Sequence, residues 1–187
     1  FSKIIVASDI HFGLGKNSQS KIRILKDYVE PQLLKTVNDG ENNLFIICGD
    51  LFHEMVSVRT DVYREARNFL ENVSKNVKTI ILAGNHDCFE RNTSVTSVEQ
   101  FDRLENVEVI KYPKERVING KNCLFLPWSD NNSYAFDFQD EKYDCVFCHP
   151  DVPKEFFMGI YVEENSRKMS AAKKERKSEE KSDMGKS

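Results

Sequence analysis

Five consecutive apolar residues, Leu44-Phe45-Ile46-Ile47-Cys48, limit what this chain can fold into. A strand with one wet face alternates apolar and polar residues; a run with no polar member needs cover on both faces, the condition of a central strand in a parallel sheet. Lys3-Ile4-Ile5-Val6-Ala7 and Thr79-Ile80-Ile81-Leu82 read as companion strands. Between them the period changes. Ile22, Leu25, Val29, Leu33 and Val37 recur at helical spacing over residues 21–37, as do Val62, Ala66, Phe69, Leu70 and Val73 over 58–73. Strands alternating with helices predict an α/β fold. Pro31 predicts a break or a new first turn inside the first helix, and Asn38-Asp39-Gly40 its end. Residues 15–20 read as a loop, and Ser97-Val98-Glu99-Gln100 has the form of a capping box, which predicts a short helix through residue 104.

After Asn106 the pattern shifts to short β-like segments at 107–110, 116–118 and 123–126, with Asn119-Gly120 as a hairpin turn, followed by a strand over 144–148. From about residue 160 apolar content collapses. Residues 166–187 are rich in Lys, Glu and Ser without hydrophobic period, a solvated helix or disordered tail with composition favouring disorder. The expected organisation is one domain over 1–159 and a charged low-complexity tail over 160–187.

Each strand run stops at a polar cluster. Ser8-Asp9-Ile10-His11 follows the first, Gly49-Asp50-Leu51-Phe52-His53 the second, Gly84-Asn85-His86-Asp87 the third, and His149-Pro150 the strand over 144–148. The chain has four histidines, and all four stand just beyond a predicted strand. Ligand sites in open α/β sheets form at the carboxyl ends of strands. Singly, each cluster also reads as an ordinary turn, since Asn, Asp and Gly are turn residues. Together, imidazoles, carboxylates and an amide form a donor set suited to Mn²⁺, Fe²⁺ or Zn²⁺. On an extended segment Asp9 and His11 point to the same face and can reach one ion. Asp50 has two oxygens and can bridge two ions, an arrangement that, at about 3.5–4 Å separation, serves hydrolysis of a phosphate ester.

Asp9-x-His11, Gly49-Asp50, Gly84-Asn85-His86-Asp87 and the later His149, in that order and at these intervals, resemble the calcineurin-like metallophosphoesterases. Within that family, Asp9-Ile10-His11-Phe12-Gly13, Gly49-Asp50-Leu51-Phe52-His53 and Asn85-His86-Asp87 resemble the phosphatases less than the DNA repair exonucleases, namely the nuclease subunits of SbcCD and Mre–Rad complexes and the T-even-phage-type recombination endonuclease subunit. The protein phosphatases' Asp-Arg-Gly after the second motif, and Glu after Asn-His, are lacking. The phage-type similarity extends through Glu105 to Ile110, Cys123 to Trp128 and Phe156 to Gly159, about residues 1–159. It implies a two-sheet β-sandwich flanked by helices and a DNA nuclease using two divalent ions, Mn²⁺ foremost, with Fe²⁺, Zn²⁺ or Mg²⁺ as alternatives. It also implies an SMC-like ATPase partner, with a homodimer as a further assembly. By motif position Asp9 and His11 hold one ion, Asn85 and His149 the other, and Asp50 bridges. His86 becomes general acid or transition-state stabiliser, oriented by Asp87, with His53 contacting phosphate or supporting His86.

The family's last motif, Gly-His-x-His, adds a histidine to each metal, and no histidine follows His149. The expectation is a chain lacking the C-terminal part and cap domain, or two under-coordinated sites, with low or no nuclease activity by itself. A chain starting at Phe1 also suggests a processed or trimmed product. Two other functions stay open, a small-molecule phosphodiesterase or phosphatase on the same fold and a catalytically impaired scaffold. Cys145-x-x-Cys148-His149 spells a c-type haem signal, and Phe125 and Trp128 a base-stacking pair, although each sits in a core-strand pattern.

Composition bounds the partners. A net charge of −3 and pI near 5.9 leave no global basic footprint, so DNA affinity must be local, metal-borne or supplied by a partner. The Lys and Arg of residues 168–177 are interleaved with Glu and read as a solvated tail. No membrane-length apolar stretch and no signal pattern occurs, so a cytoplasmic protein is expected. Five cysteines, an odd number, argue for free thiols, most of them small core residues within strands.

Overall fold

A computed structural model of the chain describes residues 1–15, 18–40, 42–90, 95–138 and 141–151. The predicted tail, the domain boundary ahead of it and the Phe156 to Gly159 stretch lie outside these residues. β1 (Ile4–Ala7), β2 (Leu44–Cys48), β3 (Lys78–Leu82) and β4 (Val107–Ile110) form one sheet in the order β1-β2-β3-β4, every pair parallel. Strands that step across a sheet in one direction through right-handed crossovers leave their helices on one face. That face carries α1 (Ser18–Ile24), α2 (Glu30–Val37), α3 (Thr60–Ser74) and a 3₁₀ turn, Glu99–Arg103. The other face receives β5 (Lys114–Ile118), β6 (Lys121–Leu126) and β7 (Cys145–Cys148), with β5–β6 antiparallel and β6–β7 parallel. The class is the expected one, an α/β sandwich of two sheets with helices against the first.

β2 is buried along its whole length because it is covered twice. Phe45 and Ile47 pack with Ile81 against Ala66, Leu70 and Val73 of α3, while Leu44, Ile46 and Cys48 join Ile80, Leu82, Cys123, Phe125 and Phe147 between the sheets. At about 1.5–3 kcal/mol for each large side chain removed from water, these two clusters fix the register of the sheet. The five apolar positions singled out in α3 are all buried. β1 lies at the sheet edge, where Ile4 and Val6 stay exposed.

Several local expectations are corrected. The first helical rod starts at Ser18, inside the predicted loop, while Pro31 stands, as expected, in the first turn of a new helix, α2. A π-helical turn, Leu25–Val29, precedes α2, with the Glu30 N–H donating to the Leu25 carbonyl, and it absorbs the change of register where a proline enters the helix. The segment 107–110, read with the later β-like segments, instead extends the parallel sheet as β4. Ser97 forms no capping box: its amide and hydroxyl both donate to the Asp87 carbonyl, at 2.8 and 3.3 Å, and Val98 precedes the turn without a side-chain cap. Cys48, Cys88 and Cys123 are buried, but Cys145 and Cys148 are exposed, because β7 is an edge strand whose Phe147 alone turns fully inward. The Asn119-Gly120 hairpin forms as expected, with φ of 52° and 74°. Among the described residues no helix is long and apolar enough to cross a membrane.

Candidate metal centre

Past their carboxyl ends β1 and β2 continue side by side. Asp9 N donates to Gly49 O at 3.2 Å, His11 N to Asp50 O at 3.0 Å, Phe12 N to Leu51 O at 2.8 Å and His53 N to Phe12 O at 3.0 Å. Phe12 and Phe52, both buried, anchor this ladder in the helix-side core. The polar residues between them are thereby brought to one place. They do not arrive by strand alternation. Asp9, His11 and Asp50 have φ of 55°, 52° and 54°, left-handed backbone that Asp and His tolerate better than most residues. The extended Asp9-x-His11 segment is corrected accordingly: a turn aims the two side chains together.

Asp50, 3% exposed, stands at the middle. Its Oδ2 lies 3.5 Å from His11 Nε2, which is itself 3.6 Å from Asp9 Oδ1. Its Oδ1 lies 3.4 Å from His149 Nε2 and accepts the His86 N–H at 2.9 Å. The two oxygens of one carboxylate thus face two different imidazoles. Ser8 Oγ sits 2.5 Å from Asp9 Oδ2 and 2.8 Å from the Cys48 carbonyl oxygen.

On the far side, His149 Nδ1–H donates to the Cys48 carbonyl at 2.7 Å, which leaves Nε2 as the ring's lone-pair nitrogen. That Nε2 faces Asn85 Oδ1 at 2.9 Å. With the Asn85 amide in this orientation two acceptors face each other, as two ligands of one cation do, whereas the reversed amide would donate its N–H to the ring. Two glycines make room for the arrangement. A Cβ on Gly49 would stand 2.3 Å from His149 Nδ1, and one on Gly84 would stand 2.2 Å from Asp50 Oδ1.

The donors fit divalent metal. Asp9, His11 and Asp50 place one ligand atom each within 4.8 Å of one another, and His149 Nε2 lies 3.4 Å from the other Asp50 oxygen and 2.9 Å from Asn85 Oδ1. Mixed oxygen and imidazole donors suit borderline or hard divalent ions. Burial lowers the His11 pKa below its ordinary value, with the nearby imidazoles of His86 and His53 adding to the fall and the Asp50 and Asp9 charges opposing it. A neutral ring is the form that ligates.

His86 lies against this centre, its ring 4.9 Å from that of His11 and stacked at 5.2 Å on His53. His86 Nδ1–H donates to the backbone carbonyl of His53 at 2.6 Å. Asp87 was expected to orient His86, and here the structure differs. Its carboxylate, fully buried, accepts the backbone N–H groups of Phe52 (3.0 Å), Gly84 (3.0 Å) and Leu51 (3.3 Å), tying the β2 and β3 loops together. Burial pushes its carboxyl up to about 6, those amides holding it back and the Asp50 charge adding to the rise. His53 does come to the centre, with Nδ1 3.4 Å from His11 Nδ1.

All eight expected site residues converge on the strand ends, although Asp87 serves the loops rather than a histidine. Ser8 and the carbonyls of Cys48 and His53 were missed: Ser8 adjoins Asp9 and could have been suspected, whereas a carbonyl has no sequence signal. The haem reading finds no support, since residues three apart on β7 point to opposite faces and His149 is already engaged. Phe125 and Trp128 are buried core residues, not a stacking platform.

The family model for calcineurin-like phosphoesterases matches residues 2–176. A protein of Invertebrate iridescent virus 6 named "Putative phosphoesterase 244L" is 26% identical over 161 residues, 80% of this chain and 54% of that one, so the chain spans about half the length of the curated relative it matches. A solved structure of a protein of unknown function from Aquifex aeolicus aligns with a TM-score of 0.44 and 16% identity, covering 76% of this chain and 75% of that one. At that score the likeness adds nothing to the topology described above.

Proposed function

The chain belongs to the calcineurin-like phosphoesterase family, and from that premise we propose that it is a two-metal phosphodiester hydrolase acting on DNA, with Mn²⁺ as its ion. The observation that carries the two-metal reading is Asp50, whose Oδ2 faces His11 and whose Oδ1 faces His149. Asp9 and His11 complete one ligand set, Asn85 and His149 the other. When bound, the ions supply the positive charge that polarises a phosphoryl group and acidifies a water. The chain's own residues do the rest. Asp50 fixes the spacing of the two sets, held by the His86 amide. The Cys48 carbonyl keeps the His149 ring turned so that Nε2 faces Asn85. His86, with its Nδ1–H committed to the His53 carbonyl, presents Nε2 as its remaining nitrogen, and the proton it gives to the departing sugar oxygen is the second one, carried on Nε2 when the ring is an imidazolium.

DNA as the substrate rests on the resemblance of the Asp9, Asp50 and Asn85 motifs to the repair exonucleases, as does an SMC-like ATPase partner. A net charge of −3 gives no global basic footprint for DNA, so the attraction is local, borne by the ions or supplied by a partner. The test is to offer Mn²⁺-loaded protein duplex DNA, a chromogenic phosphodiester and a phosphomonoester in parallel. Weak cleavage of DNA and the diester is expected, because no histidine after His149 completes the two ligand sets; cleavage of the monoester alone would overturn the reading.

A further inference from the structure

We propose that His53 is a positioning residue that fixes two other histidines at once, its ring setting the tautomer of His11 and its backbone carbonyl setting the tautomer of His86. The proposal rests on the reading above of His11 as a metal ligand and His86 as a proton donor. It begins from an oddity of the centre. Three imidazoles, His11, His53 and His86, bring one ring nitrogen each within 4.8 Å of one another, and none of them is a free turn residue. Packing them so closely is useful only if each proton has a defined place.

His11 uses Nε2 toward the carboxylates of Asp9 and Asp50, at 3.6 and 3.5 Å, so a cation there requires the lone pair on Nε2 and the proton on Nδ1. The atom facing His11 Nδ1 is His53 Nδ1, at 3.4 Å, with the rings edge to face at 76°. A nitrogen meeting an N–H must be an acceptor. His53 therefore carries its own proton on Nε2, and its Nδ1 lone pair holds the His11 ring in the ligating tautomer. Metal-bound imidazoles commonly give their second N–H to a carboxylate, carbonyl or water; here another imidazole takes that place. His86 is handled by a different part of the same residue. Its Nδ1–H meets the His53 carbonyl at 2.6 Å, while its ring lies parallel to the His53 ring at an interplanar angle of 15°. Truncating the His53 side chain removes the first restraint and leaves the second.

That asymmetry makes the test. Ring ¹⁵N shifts of the histidines, with and without Mg²⁺, and Mn²⁺ binding by calorimetry are measured for the wild-type chain, His53→Ala and His53→Asn. At a pH where the rings are neutral, both His11 and His86 of the Mg²⁺-loaded wild type are expected as Nδ1–H tautomers. His53→Ala should leave His86 as Nδ1–H, turn His11 into a tautomer mixture and weaken Mn²⁺ binding by about 10-fold or more. His53→Asn, whose amide oxygen sits near the former Nδ1, should restore most of the affinity. The proposal is overturned if His53→Ala keeps His11 in one tautomer with Mn²⁺ affinity within about twofold of wild type, or if folded His53→Asn binds as poorly as His53→Ala. If His53→Ala does not fold, the Asn variant and the wild-type shifts decide. Wild-type chain that binds no Mn²⁺ would instead refute the metal reading, and the His11 half with it, while the His86 tautomer in metal-free protein still decides the carbonyl half.

Discussion

The Nδ1 proton of His86 is given to the backbone carbonyl of His53 at 2.6 Å and not to the carboxylate of Asp87, the residue that follows it in sequence. Asp87 is turned the other way, into three backbone amides. Within one loop, the His86 ring is turned to the histidine cluster and its neighbour Asp87 closes the backbone.

The expected consequence is that Asp87→Asn costs stability before it costs chemistry. An amide has one acceptor oxygen for three donors, so a buried N–H is left unpaired at about 1–3 kcal/mol. Urea denaturation should show that loss. An Asp87→Asn chain as stable as wild type would mean the carboxylate does not close the loops.

Gly49 is the point where backbone must be bare. Its φ is 85°, and an added Cβ would stand 2.3 Å from His149 Nδ1 and 2.9 Å from Gly84 Cα. Gly49→Ala combines backbone strain with overpacking and should destabilise by about 2–5 kcal/mol in a thermal or denaturant melt. A change under about 0.5 kcal/mol would show that His149 does not pack there.

The two sheets are also linked by charge. Glu108 on β4 accepts from Lys114 Nζ at 2.8 Å and from Arg116, both on β5. Burial alone would raise its carboxyl, but the Lys114 hydrogen bond and the Arg116, Lys114 and Lys78 charges hold it below the ordinary 4.5. A carboxylate whose folded pKa is depressed contributes stability that is present above the unfolded value and is lost as pH falls through the folded one. Wild type should therefore exceed Glu108→Gln by up to about 1 kcal/mol at pH 7, and the gap should close below about pH 4.5. A gap independent of pH would contradict the ion pair.

Much of this was legible in the residues, and the parts that were not have physical reasons. The unbroken apolar run Leu44 to Cys48 required cover on both faces, and the structure supplies helices on one side and a second sheet on the other. Helical period in α3 picked out the five residues that are buried. Histidines beyond strand ends pointed to a shared centre, because β1, β2 and β3 of the parallel sheet end along one edge, to which β7 of the second sheet adds His149. The left-handed turns at Asp9, His11 and Asp50 were hidden, since Asp and His only tolerate that conformation and do not announce it. So were the acceptors on the Cys48 and His53 main chains, which every residue possesses. β4 could not be assigned to its sheet because four residues with two buried positions fit either layer.

The account stands or falls on Asp50 serving two ions. Calorimetric titration of Mn²⁺ into the wild-type chain and into Asp50→Ala tests this directly. Wild type should bind two ions per chain, and the variant should lose both, because each ligand set is built on one oxygen of the same carboxylate. An Asp50→Ala chain that keeps either ion at wild-type affinity, or a wild-type chain that binds none, would contradict it.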